Sequence, residues 1–185
     1  EDFQQLFILL RRGHRKRLCR PGLHRYAPEL LHRAVHRGGL QLRFGRRVHP
    51  FVRREIATYC RWLRAHYRFP VQVKVTVPNA LKLLSRDGDP CWGLCLIPDD
   101  PDDSVCICVA GGFRQSLPEE ERRAFLYATL GTLTHELGHY FQYINRIRLT
   151  ERGMEWQATH YAHQVLDAYY EDGWDRIADG WTEDA

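Results

Sequence analysis

Two histidines with a glutamate between them form the densest group of reactive side chains in this sequence, His135-Glu136-Leu137-Gly138-His139. Residues i and i+4 of an α-helix lie above one another on one face, so both imidazoles can reach a single metal ion. Glu136 lies one step round the helix, where its carboxylate can accept a proton from a metal-bound water. The spacing therefore predicts a zinc-hydrolase site.

The surrounding segment has the signals of a helix. Ser116, with Glu119 three residues later, predicts a capping box, and Pro118 suits the first helical turn. Apolar residues then recur at spacings of three and four, as in a stripe facing a core. They are Leu130, Leu133, Leu137, Phe141 and Ile144. His135 and His139 fall on the other side of the helix, which favours ligands over core residues.

A catalytic zinc site usually has a third protein ligand, and Glu155 is the predicted one. It begins a second helical stretch, residues 155–166, after a turn near Arg152-Gly153 that allows an antiparallel return. Ala158 and Ala162 lie three and seven residues beyond the glutamate, where small side chains let two helices approach closely. The alternative is that Glu155 only stabilises a helix start through the helix dipole.

These two motifs resemble those of the ImmA/IrrE-like zinc metallopeptidases, a family of small gluzincin-type enzymes. The second motif is Glu155-x-x-Ala158-x-x-Tyr161-Ala162 followed by Val165-Leu166, and the resemblance spans roughly residues 50 to 170. It implies zinc on His135, His139 and Glu155, with Glu136 as the catalytic base. It also implies a protein substrate, with a regulatory protein such as a repressor as one candidate.

A second resemblance is to the SprT-like proteases. Gly153-x-x-Trp156 is similar to their pattern of a ligand histidine followed by a glycine and an aromatic residue. Here Arg152 precedes the glycine and cannot bind zinc. The sequence therefore ranks the SprT-like interpretation second.

The expected chemistry is endopeptidase cleavage by a metal-activated water. Zinc would polarise the scissile carbonyl and acidify its water, while Glu136 takes the proton and delivers it to the leaving amine. The tetrahedral oxyanion needs a further donor. His160, His163, Tyr140 and Tyr143 are all near in sequence, and the sequence does not choose between them.

Charge is unevenly distributed along the 185 residues. Residues 1–50 hold 12 Lys+Arg and 3 Asp+Glu, net +9, whereas the rest of the chain is net −5. Clustered cations give sequence-independent affinity for phosphates, so residues 1–50 are a candidate contact for nucleic acid or an acidic partner. The alternative to an enzyme is a non-catalytic, zinc-containing regulatory module that uses this region to bind nucleic acid.

A composition of 44% hydrophobic residues supports one core with an appendage. We therefore expect a basic appendage at 1–49 and a zinc metallopeptidase domain at 50–185. The apolar run Leu6 to Leu10 is too short to span a membrane and lacks the order of a signal peptide. These features predict a cytoplasmic protein without membrane contact, and the sequence indicates no oligomeric state.

The predicted fold class is α+β. Helices are expected at Asp2–Arg12, Pro28–Arg37 and Pro50–Tyr67, and strands at Val71–Val77, Cys91–Ile97 and Ser104–Ala110. The strands should form a small three-stranded antiparallel sheet packed on the motif helix and the following ligand helix. Ser104–Ala110 is the strand expected to present its edge to an extended peptide substrate.

Four cysteines lie in the last two predicted strands. A hairpin with Ile97 opposite Ser104 would place Cys95 opposite Cys106 and all four thiols on one sheet face. The cysteines are Cys91, Cys95, Cys106 and Cys108. We interpret them as small, reduced hydrophobic residues, with a Cys95–Cys106 disulfide or a second zinc site of four cysteines as alternatives.

Overall fold

The structure, a computed structural model, describes residues 39–100, 102–113 and 117–178, with side chains to residue 172. Its elements are β1 (Gly39–Phe44), α1 (Pro50–His66), β2 (Gln72–Val77), β3 (Leu83–Leu84), β4 (Pro90–Cys91), β5 (Gly93–Leu96), β6 (Val105–Val109), α2 (Glu119–Ile144) and α3 (Glu151–Ala178). The predicted helices Asp2–Arg12 and Pro28–Arg37 lie outside the described residues. None of the helices in the described ranges has the length and apolarity needed to cross a membrane.

The chain is α+β, but its main sheet is mixed and has four strands in the order β1-β2-β6-β5. β1, β2 and β6 are parallel, and β5 is antiparallel to β6. The predicted three-stranded antiparallel sheet is therefore wrong. The connection from β1 to β2 runs through α1, and a helical crossover is how neighbouring strands become parallel. β3 and β4 form a separate antiparallel pair.

β1 is the strand that the sequence did not predict. Leu40, Leu42 and Phe44 alternate with polar residues, and Leu40 is buried. The preceding Gly38-Gly39 favours a break in regular structure, which obscured this short alternation. The sheet therefore includes a strand from the part of the chain that the sequence assigned to the basic appendage.

One face of the sheet is covered by the helices and forms the core. The inward residues of β2 and β6 are almost completely buried: Val73, Val75, Val77, Val105, Ile107 and Val109. α2 packs on β5 and β6, α3 packs on α2, and α1 packs on β1. The predicted helix α1 is confirmed, and its expected apolar face is buried: Ile56, Tyr59, Cys60, Leu63 and Tyr67.

The cysteines do not share one face of the sheet, because the β5–β6 register differs by one residue from the predicted one. Cys95 pairs with Ile107, and Leu96 pairs with Cys106. A shift of one residue moves every side chain to the opposite face. Cys95 therefore lies with Ile107 on the helix-covered face, whereas Cys106 and Cys108 lie on the other. The buried apolar residues of β6 fix this choice of face.

Candidate metal centre

α2 carries the whole His135–His139 motif and packs it against the core. It begins at Glu119 with Pro118 as its N-cap and no side-chain cap hydrogen bond. Ser116, the predicted capping residue, lies outside the described residues. Three glutamates in its first turn favour this end through the helix dipole. The predicted apolar stripe is confirmed, since all its members are buried: Leu130, Leu133, Leu137, Phe141 and Ile144.

α3 packs against α2 through two small residues. A Cβ atom added at Gly138 would lie 2.9 Å from the Cα and 3.0 Å from the Cβ of Ala158, so the two backbones touch at this point. This confirms the close approach expected from a small residue at 158. α3 begins at Glu151, so Glu155 lies in its second turn rather than at its start.

The close approach brings Glu155 to both histidines. His135 Nε2 lies 3.2 Å from His139 Nε2 and 3.2 Å from Glu155 Oε2, and His139 Nε2 lies 3.3 Å from Glu155 Oε1. Metal bonds of 2.0–2.1 Å in a tetrahedral site place ligand atoms about 3.3–3.4 Å apart. The three predicted ligands therefore form a group that could hold a metal ion.

Gln142 orients the ring of His139. Its Oε1 lies 2.8 Å from His139 Nδ1, and its Nε2 donates to Met154 O at 2.8 Å and to Gln157 Oε1 at 3.0 Å. Because the amide nitrogen faces two oxygens, Oε1 must be the atom that accepts from the imidazole. The proton then sits on Nδ1, and Nε2 offers its lone pair to the metal position.

His135 has a similar neighbour on α3. Its Nδ1 lies 3.3 Å from Thr159 Oγ1, a hydroxyl oxygen that can accept the Nδ1 proton. Burial lowers the pKa of His135, the nearby His139 lowers it further, and Glu155 partly opposes both. A neutral imidazole is the form that binds a metal, so the environment favours the ligand form.

Glu136 is buried beside these candidate ligands and faces the edge of the sheet. Burial, followed by the negative charge of Glu155, raises the pKa of Glu136 to about 7. A divalent metal ion bound nearby would lower the pKa of Glu136. A Cβ at Gly93 would lie 2.6 Å from Glu136 Oε1 and 2.6 Å from Thr132 Cγ2. The glycine therefore lets the backbone of β5 lie directly against this carboxyl group.

A cavity of about 430 Å³ opens beside His135 and Glu136. It lies between the β4–β5 segment on one side and helices α2 and α3 on the other. Its lining residues are Cys91, Trp92, Gly93, Tyr127, Ala128, Gly131, Thr132, His135, Glu136, Thr159, Ala162, His163 and Leu166. The cluster therefore borders a space large enough for part of a peptide.

The four candidate oxyanion donors fall in different places. Tyr140 is fully buried and its hydroxyl donates to Val71 O at 2.7 Å, so it is a core residue. Tyr143 packs against the core. His160 is exposed and stacks on a neighbouring tryptophan. His163 is exposed and lines the cavity together with His135 and Glu136.

Sequence reasoning missed three residues that support the site. Gln142 lies three residues beyond His139, and Thr159 lies four residues beyond Glu155, so helical spacing alone could have identified both. Gly93 had no such signal, because it comes from a strand far from the motif along the chain. Comparisons with protein-family models, curated proteins and solved structures gave no significant match.

Proposed function

We propose that this protein is a zinc-dependent endopeptidase. The observation that carries the proposal is the grouping of three side chains: His135 Nε2 lies 3.2 Å from His139 Nε2 and 3.2 Å from Glu155 Oε2, and His139 Nε2 lies 3.3 Å from Glu155 Oε1. Two imidazoles and one carboxylate suit Zn²⁺ with a position left for water. Glu136 beside them favours catalysis, because a purely structural site needs no such carboxylate.

Different residues of the chain would carry out different parts of the hydrolysis. His135, His139 and Glu155 would hold zinc, which when bound supplies a Lewis acid and lowers the pKa of water. Glu136 accepts the proton of the attacking water and passes it to the leaving amine. Among the four candidate donors, His163 is the one on the cavity wall, but it lies eight residues beyond Glu155, about 12 Å along the helix, so we assign no oxyanion donor.

The substrate strand in this proposal is β5 rather than the predicted Ser104–Ala110. β6 pairs with β2 on one side and β5 on the other, so its backbone groups are already used. β5 is the last strand of the sheet at this side, and Gly93 places its backbone against Glu136. An extended peptide pairing with the outer edge of β5 would bring its carbonyls to the cluster.

Our proposal ranks the two family resemblances by the residue that would serve as the third ligand. Glu155 points at both histidines, which is the gluzincin-type ligand set implied by the ImmA/IrrE-like motifs. Arg152, where a SprT-like ligand would stand, is exposed and offers no metal-binding group. We therefore propose an ImmA/IrrE-like enzyme, and by analogy a regulatory protein such as a repressor as its substrate.

Substitution of Glu136 by Gln tests the function directly. We expect Glu136→Gln to keep about one zinc per chain and to lose cleavage by at least about 100-fold. The assay uses a random peptide mixture and denatured cellular proteins, with new termini located by mass spectrometry. Glu120→Gln is the matched control, because Glu120 is exposed in the first turn of α2. It should cleave as the wild type does.

Two results would contradict the proposal. Undiminished cleavage by Glu136→Gln would show that this carboxylate is not the base. A wild-type chain that holds zinc and cleaves neither probe would favour the non-catalytic regulatory module. The nucleic-acid contact expected of that module falls mostly on residues 1–38, which lie outside the described residues.

A further inference from the structure

The cavity beside Glu136 has a chemical character that points to its occupant. We propose that it binds one bulky apolar side chain of the substrate, next to the scissile bond, and that Gly131 keeps it open. This inference rests on the proposed endopeptidase function. It adds the substrate class and a specificity-determining residue to the site described above.

Gly131 sits where any longer side chain would enter the cavity. It lies one turn before His135 on α2, so both residues are on the same helical face. A Cβ at Gly131 would lie 3.6 Å from Leu166 Cδ1, an ordinary van der Waals contact. Alanine therefore fits at this position without strain, whereas a longer leucine side chain would extend into the cavity that Gly131 and Leu166 both line.

The walls of the cavity are mainly apolar. Ala128, Ala162 and Leu166 lie on the helices, and Trp92 and Tyr127 border the cavity with 56% and 43% of their surface exposed. Large apolar side chains left in water beside a concave space are typical of a binding site. Burying a substrate side chain here would remove apolar surface of both partners from water.

The size and charge of the cavity indicate which class of substrate side chain it can bind. Ligand pockets usually have volumes of roughly 300–1,000 Å³, and this one, at about 430 Å³, is near the lower end. It therefore suits one or two side chains rather than a folded segment. Apart from Glu136, its described lining contains no Asp, Glu, Lys or Arg. Phenylalanine, leucine or methionine would fit this lining, while an acidic side chain would meet no Lys or Arg there and would face the carboxyl group of Glu136.

The test compares cleavage preferences of wild type and Gly131→Leu on a random peptide mixture. Mass spectrometry then identifies the residues beside each cleaved bond. We expect wild type to prefer Phe, Leu or Met at one of these positions. Gly131→Leu should lower cleavage at those sites at least about tenfold, because loss of apolar contacts in a pocket costs about 10- to 200-fold in discrimination. Cleavage beside Ala or Gly should persist.

Two control variants distinguish a filled pocket from a general loss of structure. Gly131→Ala should change the preference less than Gly131→Leu does. Ala124→Leu adds a leucine to an exposed position of the same helix, outside the cavity, and should leave the preference unchanged. Zinc content of each variant should equal that of wild type, and no variant should unfold at a lower temperature than wild type. An unaltered preference in Gly131→Leu, or a wild-type preference for Lys or Arg, would overturn the proposal.

A binding readout keeps this proposal distinct from the cleavage reaction. Immobilised Glu136→Gln protein should retain Phe-, Leu- and Met-containing members of the same mixture, and Glu136→Gln/Gly131→Leu should lose them. If these peptides are retained but wild type cleaves none of them, the apolar pocket is supported and the endopeptidase function is contradicted. If wild type and Gly131→Leu cleave the same peptides equally, the endopeptidase function is supported and the apolar pocket is contradicted. If nothing is retained or cleaved, both are overturned.

Discussion

Glu155 is the residue that completes the proposed metal centre, because its two oxygens lie 3.2 and 3.3 Å from the two imidazoles. After dialysis, we expect wild type to keep about one zinc per chain and Glu155→Ala to keep less than about 0.2. Arg152→Ala, one turn earlier on α3, should lose none. Metal analysis of both variants checks this. The reverse result would support the SprT-like interpretation.

Gln142 is expected to affect zinc affinity without touching the metal. Its amide holds His139 in the tautomer that offers Nε2, and it anchors this ring to the start of α3. Loss of such an orienting partner typically weakens metal binding by about 10–100-fold, and we expect this for Gln142→Ala. Competition with a fluorescent chelator measures the change.

The control for Gln142 is Gln164→Ala. Gln164 contacts His160 at 3.1 Å, away from the three ligand atoms, so its removal should leave zinc affinity unchanged. Equal affinity in wild type and Gln142→Ala would show that the hydrogen bond does not orient the ligand.

At the scale of elements, the contact between α2 and α3 decides whether Glu155 reaches the histidines. A Cβ at Gly138 meets backbone atoms of Ala158, which cannot rotate away. Overpacking of this kind costs about 1–3 kcal/mol, and the better helix propensity of alanine offsets up to about 1 kcal/mol. We therefore expect Gly138→Ala to lower both the free energy of unfolding and the zinc affinity, measured by urea unfolding and chelator competition.

Gly131→Ala is the matched control on the same helix. Its Cβ would meet the end of one flexible side chain, Leu166, at 3.6 Å. The free energy of unfolding should then stay equal or rise by up to about 1 kcal/mol, because alanine favours a helix over glycine. Equal destabilisation of both variants would show that the helices do not depend on the close approach at Gly138.

The helices were predictable because their signals are local. Apolar residues repeat every three or four positions along α1 and α2, and burial follows that pattern. The start of α3 was placed four residues late, although Thr150 gives a local signal. Its hydroxyl accepts a hydrogen bond from the N–H of Gly153 at 3.2 Å, as an N-capping residue does. The grouping of His135, His139 and Glu155 was predictable to the same extent, since these three residues lie on the same two helices.

At the scale of the whole molecule, the sheet was not predictable from the sequence. Strand order and register depend on partners far apart along the chain, and β1 meets β2 only because α1 crosses between them. From its sequence, β6 could pair with β5 either with Cys106 or with Ile107 opposite Cys95. The choice depends on which face of the sheet the helices cover. The cavity was beyond sequence reasoning for the same reason, because its walls come from β4, β5, α2 and α3.

The placement of the thiols predicts their reactivity in the native protein. Burial raises the pKa of Cys60 and of Cys95 to about 12, whereas Cys106 is exposed. The thiolate is the reacting form, so at pH 8 we expect Cys60 and Cys95 to react with thiol reagents at least about 100-fold more slowly than Cys106. Mass spectrometry of the modified peptides over time measures this. Equal rates would contradict the burial of these two cysteines.

The total thiol count is expected to be six, with about one zinc equivalent per chain. The sequence has six cysteines, and Cys60, Cys91, Cys95, Cys106 and Cys108 are free thiols, while Cys19 lies outside the described residues. Because Cys95 and Cys106 lie on opposite sheet faces, they lack the directly opposed placement that would favour a bond. Thiol titration of protein denatured without reductant checks the count. Four thiols would indicate a disulfide, and a second zinc equivalent released by thiol reagents would indicate a cysteine-bound zinc site.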